Sequence, residues 1–370
     1  MNSSLALPFE SVAILGAGLM GRLLAVTLAQ AGCKVALHEA GSSEGEGAAA
    51  RVAAAMLAPL AESAVAPAPL VRMGHHALAR WPQLLATLAE PVFFQREGTL
   101  VLWHRQDAAE AQRLARVLQG TCEAVPELPA MQSIDAAGIA ALEPSLGTRF
   151  AQGLFLPREG QLDNRALLAS LLATLQALPN VDLHWQSPRE PGDFCPGTHG
   201  QPDWVIDCRG LGARPQWRQL RGVRGEVIRV HAPEVRLTRP TRLVHPRYPL
   251  YIAPKPGDLY VIGATEIESE DMSPASVRST LELLSAAYAV HSGFAEARIV
   301  EIATQCRPTL PDNLPDARLC GPRVLQVNGL YRHGFMIAPA VLDIVLELLQ
   351  EGRSPLAARF GLPGMRALDN

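Results

Sequence analysis

The stretch SVAILGAGLMGRLLAVTLAQAGCKVALHE, residues 11–39, decides the fold of this chain. Its apolar and glycine-rich segments follow one another in this order: a strand at 11–15, a turn of the form Gly-x-Gly-x-x-Gly at 16–21, a helix at 22–31 and a strand at 34–38. A glycine turn between a buried strand and a helix, followed by a second strand, predicts a βαβ unit that binds a dinucleotide.

Each glycine of this turn has its own physical role in such a unit. Gly16 allows the tight turn, Gly18 lets the backbone approach a pyrophosphate, and Gly21 lets the helix pack closely on the strand. The N-terminus of the helix directs its free N–H groups and partial positive charge at the phosphates. Glu39 ends the second strand, where its carboxylate accepts hydrogen bonds from ribose hydroxyls and disfavours the 2′-phosphate of NADP.

The residues that follow favour FAD over NAD. An NAD-binding half continues as βαβαβ, whereas here the second strand leads into a loop at 41–47 and an alanine-rich segment at 48–60. Small side chains in a row, from Ala53 to Pro59, let backbone amides approach a bulky planar ligand. A plain alanine-rich helix remains the alternative for this segment.

Later segments predict that the nucleotide domain is discontinuous. The apolar stretch at 204–207 predicts a strand that lies beside the strand at 11–15, and the turn after it contains Gly210. A strand at 324–328, a glycine-bracketed turn at 329–334 and an apolar helix at 335–349 again direct backbone N–H groups at one point.

We therefore expect an α/β (α+β) fold, in which a Rossmann-type FAD-binding domain carries an inserted substrate domain with an antiparallel sheet. The expected segments are 1–88, 145–222 and 308–370 for the FAD-binding domain, and 89–144 and 223–307 for the substrate domain. Residues 93–103 predict a hairpin that turns near Glu97-Gly98.

Composition excludes several other classes. The 370 residues carry a net charge of −3 without a basic cluster, which argues against nucleic-acid binding. The six cysteines have neither C-x-x-C spacing nor histidines at metal-ligand intervals, so we expect no disulfide framework and no metal site. Residues 1–10 do not resemble a signal peptide, and charges interrupt the longest apolar stretch, 330–349, so we expect a cytoplasmic protein without a membrane span. Homo-oligomerisation is left open.

Taken together, these motifs resemble the FAD-dependent oxidases of the D-amino-acid oxidase superfamily, and most closely the glycine oxidases of thiamine biosynthesis. The resemblance covers almost the whole chain and rests on short motifs in a specific order: Gly16 to Gly21 with Glu39, Ala53 to Pro59 with Glu62, Arg224-Gly225-Glu226, Tyr251 to Pro254, Gly263-Ala264-Thr265, Arg307-Pro308 with Asp312, and Gly329 to Pro339.

The resemblance implies a cofactor site in which FAD lies extended, with its isoalloxazine between the two domains. It implies that the pyrophosphate lies near the first turn, and that a helix N-terminus stabilises the reduced flavin. The candidate cofactor-binding residues are Gly16, Gly18, Leu19, Met20, Gly21, Glu39, Ala40, Arg51, Ala54, Ala55, Met56, Gly210, Gly329, Leu330, Tyr331, Arg332, His333, Gly334, Phe335 and Met336.

The resemblance also implies the substrate-binding residues, Arg307, Tyr251 and Arg332. A guanidinium binds a carboxylate through two parallel N–H bonds, and a phenol hydroxyl adds a third donor. Without the resemblance, an Arg before Pro is more often a surface or ion-pair residue, and a Tyr in a strand is more often a packing residue.

The chain departs from the family pattern in three places. Where the family carries Ser or Thr before the flavin segment, this chain has Ala49, Ala50 and Arg51, and Arg51 could replace those contacts with charge. Gln305-Cys306 precedes the candidate carboxylate arginine, and Glu266 follows Thr265. Glu266 is either a carboxylate that faces the substrate amine or a solvated strand end, and these departures argue against glycine itself as the substrate.

The resemblance implies oxidative deamination of glycine or another small amino acid or amine. The hydride passes from Cα to flavin N5, O₂ reoxidises the flavin to give H₂O₂, and the imine is hydrolysed or used for thiazole synthesis. A flavin dehydrogenase with a quinone or other acceptor and a non-catalytic flavoprotein partner remain alternatives, and an NAD dehydrogenase is the weakest of them.

Overall fold

This computed structural model describes residues 7–245 and 250–362. The strands are β1 (Ser11–Leu15), β2 (Lys34–His38), β3 (Met56–Leu57), β4 (Phe94–Gln95), β5 (Thr99–Leu102), β6 (Gln132–Asp135), β7 (Gln152–Leu156), β8 (Gly160–Leu162), β9 (Val181–His184), β10 (Trp204–Asp207), β11 (Arg221–His231), β12 (Thr241–Leu243), β13 (Leu250–Lys255), β14 (Leu259–Gly263), β15 (Arg298–Thr309), β16 (Asp316–Gly321) and β17 (Val324–Asn328). The α-helices are α1 (Leu19–Gln30), α2 (Ala49–Val52), α3 (Pro59–Glu62), α4 (Ala68–Leu85), α5 (Ala108–Ala124), α6 (Ala136–Leu142), α7 (Asn164–Ala177), α8 (Val277–Val290), α9 (Gly334–Glu351) and α10 (Pro355–Phe360). Three stretches of the expected segments, residues 1–6, 246–249 and 363–370, lie outside the described residues.

The first sheet has the order β16-β17-β10-β1-β2-β9 within the described ranges. Its strands are parallel except β16, which is antiparallel to β17. The expected βαβ unit is present, because β1 and β2 pair in parallel and α1 connects them. The strand predicted at 204–207 lies directly beside β1, as expected. Both faces of such a sheet are buried, which accounts for the continuous apolar runs in its strands.

The second sheet has the order β15-β11-β14-β13-β12-β5-β7-β6 over residues 7–245 and 250–362. It is antiparallel apart from the parallel pair β12 and β5. A third, small sheet joins β3, β8 and β4. The antiparallel sheet expected for the inserted part is therefore present.

Two details of the sequence prediction are wrong. The segment at 145–222 was assigned to the nucleotide domain, yet its strand β7 pairs with β5 and β6 in the antiparallel sheet. The hairpin expected at 93–103 does not form, because β4 pairs with β8, and β5 pairs with β7 and β12. Both errors concern partners far away in sequence, which local alternation does not specify.

Helix α9 is the central helix of the nucleotide part. It packs against α1 and α4, and most of its side chains are buried in the largest core cluster. The stretch 331–351 is long and apolar enough to span a membrane, but 78% of its most apolar window is buried inside the protein. Burial against neighbouring helices accounts for its composition.

We predict that Gly21→Ala destabilises the fold itself. A Cβ at this position would lie 1.8 Å from the carbonyl oxygen of Gly16, so the turn or the helix must shift. Overpacking of this kind costs about 1–3 kcal/mol. Thermal unfolding of the apoprotein should show a midpoint several degrees below that of the wild type.

Gly120→Ala in α5 is the matched control, since a Cβ there meets no heavy atom within 4 Å. Alanine is the better helix former by about 1 kcal/mol, so this variant should be as stable as the wild type or more stable. Equal midpoints for the two variants would contradict the packing role of Gly21.

Candidate functional site

A cavity of about 930 Å³ runs from the end of β2 to the face of the antiparallel sheet. It is at the upper end of the range for small-molecule sites. Most of the candidate cofactor residues line it: Gly16, Gly18, Leu19, Met20, Glu39, Ala40, Ala54, Ala55, Met56, Gly210, Leu330, Tyr331, Arg332, His333, Gly334, Phe335 and Met336. The three candidate substrate residues, Arg307, Tyr251 and Arg332, line it as well.

The first turn forms one end of the cavity. Gly16 has φ +93°, and a Cβ there would lie 2.8 Å from the carbonyl oxygen of Cys208. Gly18 differs from Gly16 and Gly21, because a Cβ on it would meet no protein atom within 4 Å. Since Gly18 lines the cavity and precedes α1, which has no side-chain cap, the open space lies beside free backbone N–H groups. Such a site fits a pyrophosphate.

Glu39 connects this turn to the end of β2. Its Oε2 accepts a hydrogen bond from the backbone N–H of Ala17 at 2.7 Å, and its Oε1 accepts one from Gly41 at 2.9 Å. The carboxylate therefore has a fixed position on the cavity wall, and its remaining lone pairs are available to ribose hydroxyls.

The alanine-rich segment is a short helix followed by extended chain. Ala55 has φ +53°, which no continuing helix would contain, so the alternative of a plain alanine-rich helix is wrong. Ala54 and Ala55 are 4% exposed and line the cavity. Their small side chains bring the backbone close to any ligand in the cavity.

A buried lysine fixes the backbone of this segment by a hydrogen bond. Lys255 Nζ donates to the carbonyl oxygens of Ala54 and Leu162 at 2.9 and 2.7 Å, and to Gln161 Oε1 at 3.1 Å. These three bonds use all the donors of the ammonium group. Burial lowers the pKa of Lys255 to about 7.

Three residues of the candidate cofactor set do not line the cavity. Gly21 packs against Gly16, and Gly329, with φ +76°, packs against Leu310. Arg51 donates to the carbonyl oxygen of Glu44 at 2.9 Å and is not a lining residue. The expectation that Arg51 replaces the missing hydroxyls is therefore not supported by its position.

The turn before α9 also lines the cavity. Tyr331 has φ +49°, and residues 331–333 form one turn of 3₁₀ helix that leads into α9. Helix α9 has no side-chain cap, and its first residues, Gly334 to Met336, line the cavity, so its unpaired N–H groups lie at the cavity wall. Asn328 Nδ2 donates to the carbonyl oxygen of Gly210 at 2.9 Å and joins this turn to the one after β10.

Arg307 lies on β15 at the other end of the cavity. Its Nη1 and Nη2 donate to the carbonyl oxygens of Arg224 and Thr265, each at 3.1 Å. Within the described ranges, no carboxylate lies within 4.0 Å of this guanidinium. Burial lowers the pKa of Arg307, but an arginine side chain stays charged in proteins. Among the described residues, Arg307 is therefore a cavity cation without a carboxylate in ion-pair distance.

Two glycines make room for the candidate substrate residues. A Cβ on Gly225 would lie 2.2 Å from Arg307 Nη2, and one on Gly263 would lie 2.7 Å from Tyr251 Oη. Tyr251 stands directly opposite Gly263 in the sheet register. Burial raises the pKa of the Tyr251 hydroxyl, which keeps it protonated and able to donate. A side chain larger than glycine at position 225 or 263 would collide with Arg307 or Tyr251, which explains the glycines of these two motifs.

Arg332 lies between two carboxylates. Its Nε is 3.2 Å from Glu62 Oε2, and its Nη1 forms an ion pair with Glu266. Glu62 is buried and also pairs with Arg242. Burial alone would raise the pKa of Glu62, but Arg332 and Arg242 outweigh it and hold that pKa well below its usual value. Burial lowers the pKa of the neighbouring His333 to about 4, so its imidazole is neutral at neutral pH.

Several cavity residues are missing from the sequence-based set. Glu62 was part of the resemblance but had no assigned role. No sequence motif indicates Arg242, because its partner Glu62 is far away in the chain. Near the first turn, further residues line the wall without a local motif: His38, Ser42, Arg189, Glu190 and Arg209.

Comparisons with known proteins agree with this arrangement. The family model described as FAD dependent oxidoreductase matches residues 11–348. A Rhizobium etli protein with the provisional name thiamine biosynthesis oxidoreductase ThiO is 40% identical over 92% of this chain and 97% of its own. The crystal structure of glycine oxidase from Geobacillus kaustophilus has a TM-score of 0.77 at 25% identity, covering 94% of this chain and 98% of its own. Iminodiacetate oxidase from Chelativorans sp. BNC1 shares the fold, with a TM-score of 0.79 at 21% identity over 96% and 99% of the two chains.

We predict that Gly18→Ala weakens FAD binding without weakening the fold. The new methyl group meets no protein atom, so the unfolding midpoint of the apoprotein should match that of the wild type. The methyl group would occupy the space expected for the pyrophosphate, so the Kd for FAD should rise tenfold or more in a titration of apoprotein. An unchanged Kd would exclude a close approach of the cofactor to Gly18.

We predict that Lys255 makes stability depend on pH. Its folded-state pKa of about 7 lies below the usual 10.5, so between these values the unfolded chain binds more protons. The free energy of unfolding contributed by this group therefore rises as pH increases from 7 towards 10. Urea unfolding at saturating FAD should show a smaller rise for Lys255→Met than for the wild type.

Lys34→Met provides the control, since Lys34 is exposed at the start of β2. Other groups that titrate in this range contribute equally to all three proteins, so the comparison isolates Lys255. If the Lys255→Met and wild-type curves are parallel, Lys255 does not titrate in this window.

Proposed function

The chain belongs to the family of FAD dependent oxidoreductases, and from that premise we propose that it oxidises glycine or another small amino acid or amine. The observation that carries this proposal is Arg307, a cavity cation without a carboxylate partner among the described residues, which lines the same cavity as Tyr251. A guanidinium and a phenol at the end of a dinucleotide cavity suit a substrate carboxylate. The name of the Geobacillus relative, glycine oxidase, supports the same substrate class, and the name of the Rhizobium relative supports a role in thiamine biosynthesis.

The cavity fits FAD in an extended form. Gly18, Leu19 and Met20 would hold the pyrophosphate, and Glu39 would bind the adenosine ribose. The flavin ring would lie between the alanine segment at 54–56 and the turn at 330–336. In that position the N-terminus of α9 would stabilise negative charge on the ring.

Bound FAD supplies the acceptor for a hydride from the substrate Cα, and O₂ takes the electrons on to hydrogen peroxide. The residues of the chain bind and orient the substrate. Arg307 binds the carboxylate through the N–H groups that are not used by the carbonyl oxygens of Arg224 and Thr265. Tyr251 donates a further hydrogen bond, and together they fix the direction of the Cα–H bond.

No side chain is assigned as a general base. An amine that arrives uncharged needs no proton removal before the hydride leaves. Glu62 is held as a carboxylate by Arg332 and Arg242, and so serves to position those arginines. The product imine leaves the site to be hydrolysed to a 2-oxo acid or to be consumed in thiazole synthesis for thiamine.

The proposal is tested by a substrate screen on purified protein with its FAD content measured in parallel. We expect a yellow protein that releases H₂O₂ with glycine, N-methylglycine or a small D-amino acid. Turnover with an artificial dye but not with O₂ would indicate a dehydrogenase. A colourless protein that does not take up FAD would refute the proposed function.

We predict that Arg307→Ala raises KM for amino-acid substrates tenfold or more, because the charge-assisted bonds to the carboxylate are lost. Arg298→Ala is the matched control on the same strand, since Arg298 donates only to the nearby carbonyl oxygen of Glu296. Steady-state kinetics at fixed O₂ should show KM unchanged for this control. An unchanged KM in Arg307→Ala would remove Arg307 from the substrate site.

A further inference from the structure

Glu266 is a carboxylate at the substrate end of the cavity that the proposed reaction does not use. It lies beyond β14, and its side chain is 40% exposed. Its Oε1 accepts a hydrogen bond from Tyr331 Oη at 2.6 Å, and its Oε2 pairs with Arg332. Two consecutive residues of the turn before α9 thus hold Glu266 in a defined place.

The position of Glu266 is linked to that of Arg307 through a single residue. Arg307 Nη2 donates to the carbonyl oxygen of Thr265, and Thr265 is fastened in turn to Glu226 by three hydrogen bonds. Glu266 is the next residue in the chain. A substrate whose carboxylate binds Arg307 therefore lies within reach of the Glu266 side chain.

The charges at this end of the cavity leave room for one further negative charge. The described charged residues that line it are three cations and two anions, namely Arg242, Arg307, Arg332, Glu62 and Glu266. Glu62 compensates Arg242 and shares Arg332 with Glu266, which leaves Arg307 as the uncompensated cation. Behind Arg307, Arg224 and Glu226 form a buried pair that adds no net charge.

A substrate with one carboxylate completes this balance, whereas a second carboxylate disturbs it. The second carboxylate would enter a site in which Glu266 already occupies Arg332, and in which the side chains of Arg332 and Glu62 are only 15% and 11% exposed. Burying an unpaired charge is costly, and two carboxylates in one site repel each other. The amine of a monocarboxylic substrate, in contrast, lies favourably beside Glu266.

We propose that Glu266 is a specificity-determining residue, which restricts the site to amino acids and amines with a single carboxylate and excludes aminodicarboxylates. It does so by occupying the Arg332 guanidinium and by repelling a second negative charge. This inference rests on the proposed function, because it assumes that Arg307 binds the substrate carboxylate.

The test uses FAD-loaded protein and unreactive ligands, with the absorption spectrum of bound flavin as the readout. Acetate and malonate differ by one carboxylate, and their Kd values are measured at constant ionic strength. In the wild type we expect acetate to bind at least tenfold more tightly than malonate. In Glu266→Gln, which keeps the size of the side chain, malonate should gain tenfold or more while acetate changes less than threefold.

Two further variants separate charge from structure. Glu266→Asp keeps the charge and should retain the preference for acetate. Glu268→Gln is the matched control, since Glu268 is 70% exposed and pairs with Arg221 at 2.5 Å. Its Kd values should equal those of the wild type.

Turnover provides a second measurement. The ratio of kcat/KM for iminodiacetate or D-aspartate to that for the best monocarboxylic substrate should rise tenfold or more in Glu266→Gln. An unchanged malonate-to-acetate preference and an unchanged kcat/KM ratio in this variant would overturn the role of Glu266.

The outcome for acetate shows which claim has failed. If acetate binds the wild type but not Arg307→Ala, the proposed carboxylate site stands, and an unaltered selectivity in Glu266→Gln refutes only this inference. If acetate does not perturb the flavin in any of these proteins, or binds independently of Arg307, both the carboxylate site and the role of Glu266 are refuted.

Discussion

The close contact between the first glycine turn and helix α1 is the constraint on which the rest of the structure depends. The carbonyl oxygen of Gly16 lies 1.8 Å from where a Cβ of Gly21 would be, so only glycine fits at this position in the first turn of the helix. This contact brings the N-terminus of α1 to the carboxyl end of the parallel sheet. The turns after β10 and β17 reach the same edge, and together they form one wall of the cavity.

At the other end of the cavity, ion pairs rather than close backbone packing fix the positions of the side chains. Glu62 and Glu266 hold Arg332 between them, and Arg242 completes the cluster from β12. Each of these groups would be costly to bury alone, but together they are compensated. Arg307 remains outside the cluster, which explains how one arginine can be free for a ligand carboxylate while its neighbours are not.

The parts of the structure that could be predicted from sequence are local. The βαβ unit and the φ > 0 turn at Gly16 follow from residues within one short stretch, and the family resemblance supplied Arg307 and Tyr251. Partners distant in sequence were not predictable. Arg242 and Glu62 are 180 residues apart, and no pattern in either segment indicates the other.

The errors have the same origin. The bounds 145–222 placed β7 with the nucleotide domain, because the sequence of a single strand does not reveal its neighbours. Arg51 was suggested at the cofactor because it stands where the family carries hydroxyls, and sequence position did not reveal that it donates to the carbonyl oxygen of Glu44. The need for glycine at positions 225 and 263 was not predictable either, because it arises from the side chains of Arg307 and Tyr251, which are distant in sequence or on a neighbouring strand.

The central claim is that a small amino acid bound in this cavity gives up a hydride to FAD. Its most direct test is to mix the FAD-loaded protein with glycine, N-methylglycine and small D-amino acids in the absence of oxygen, and to record the flavin spectrum. The account predicts that at least one of these substrates bleaches the absorbance of oxidised flavin and that admission of air restores it. A spectrum that remains oxidised with every one of them would contradict the account.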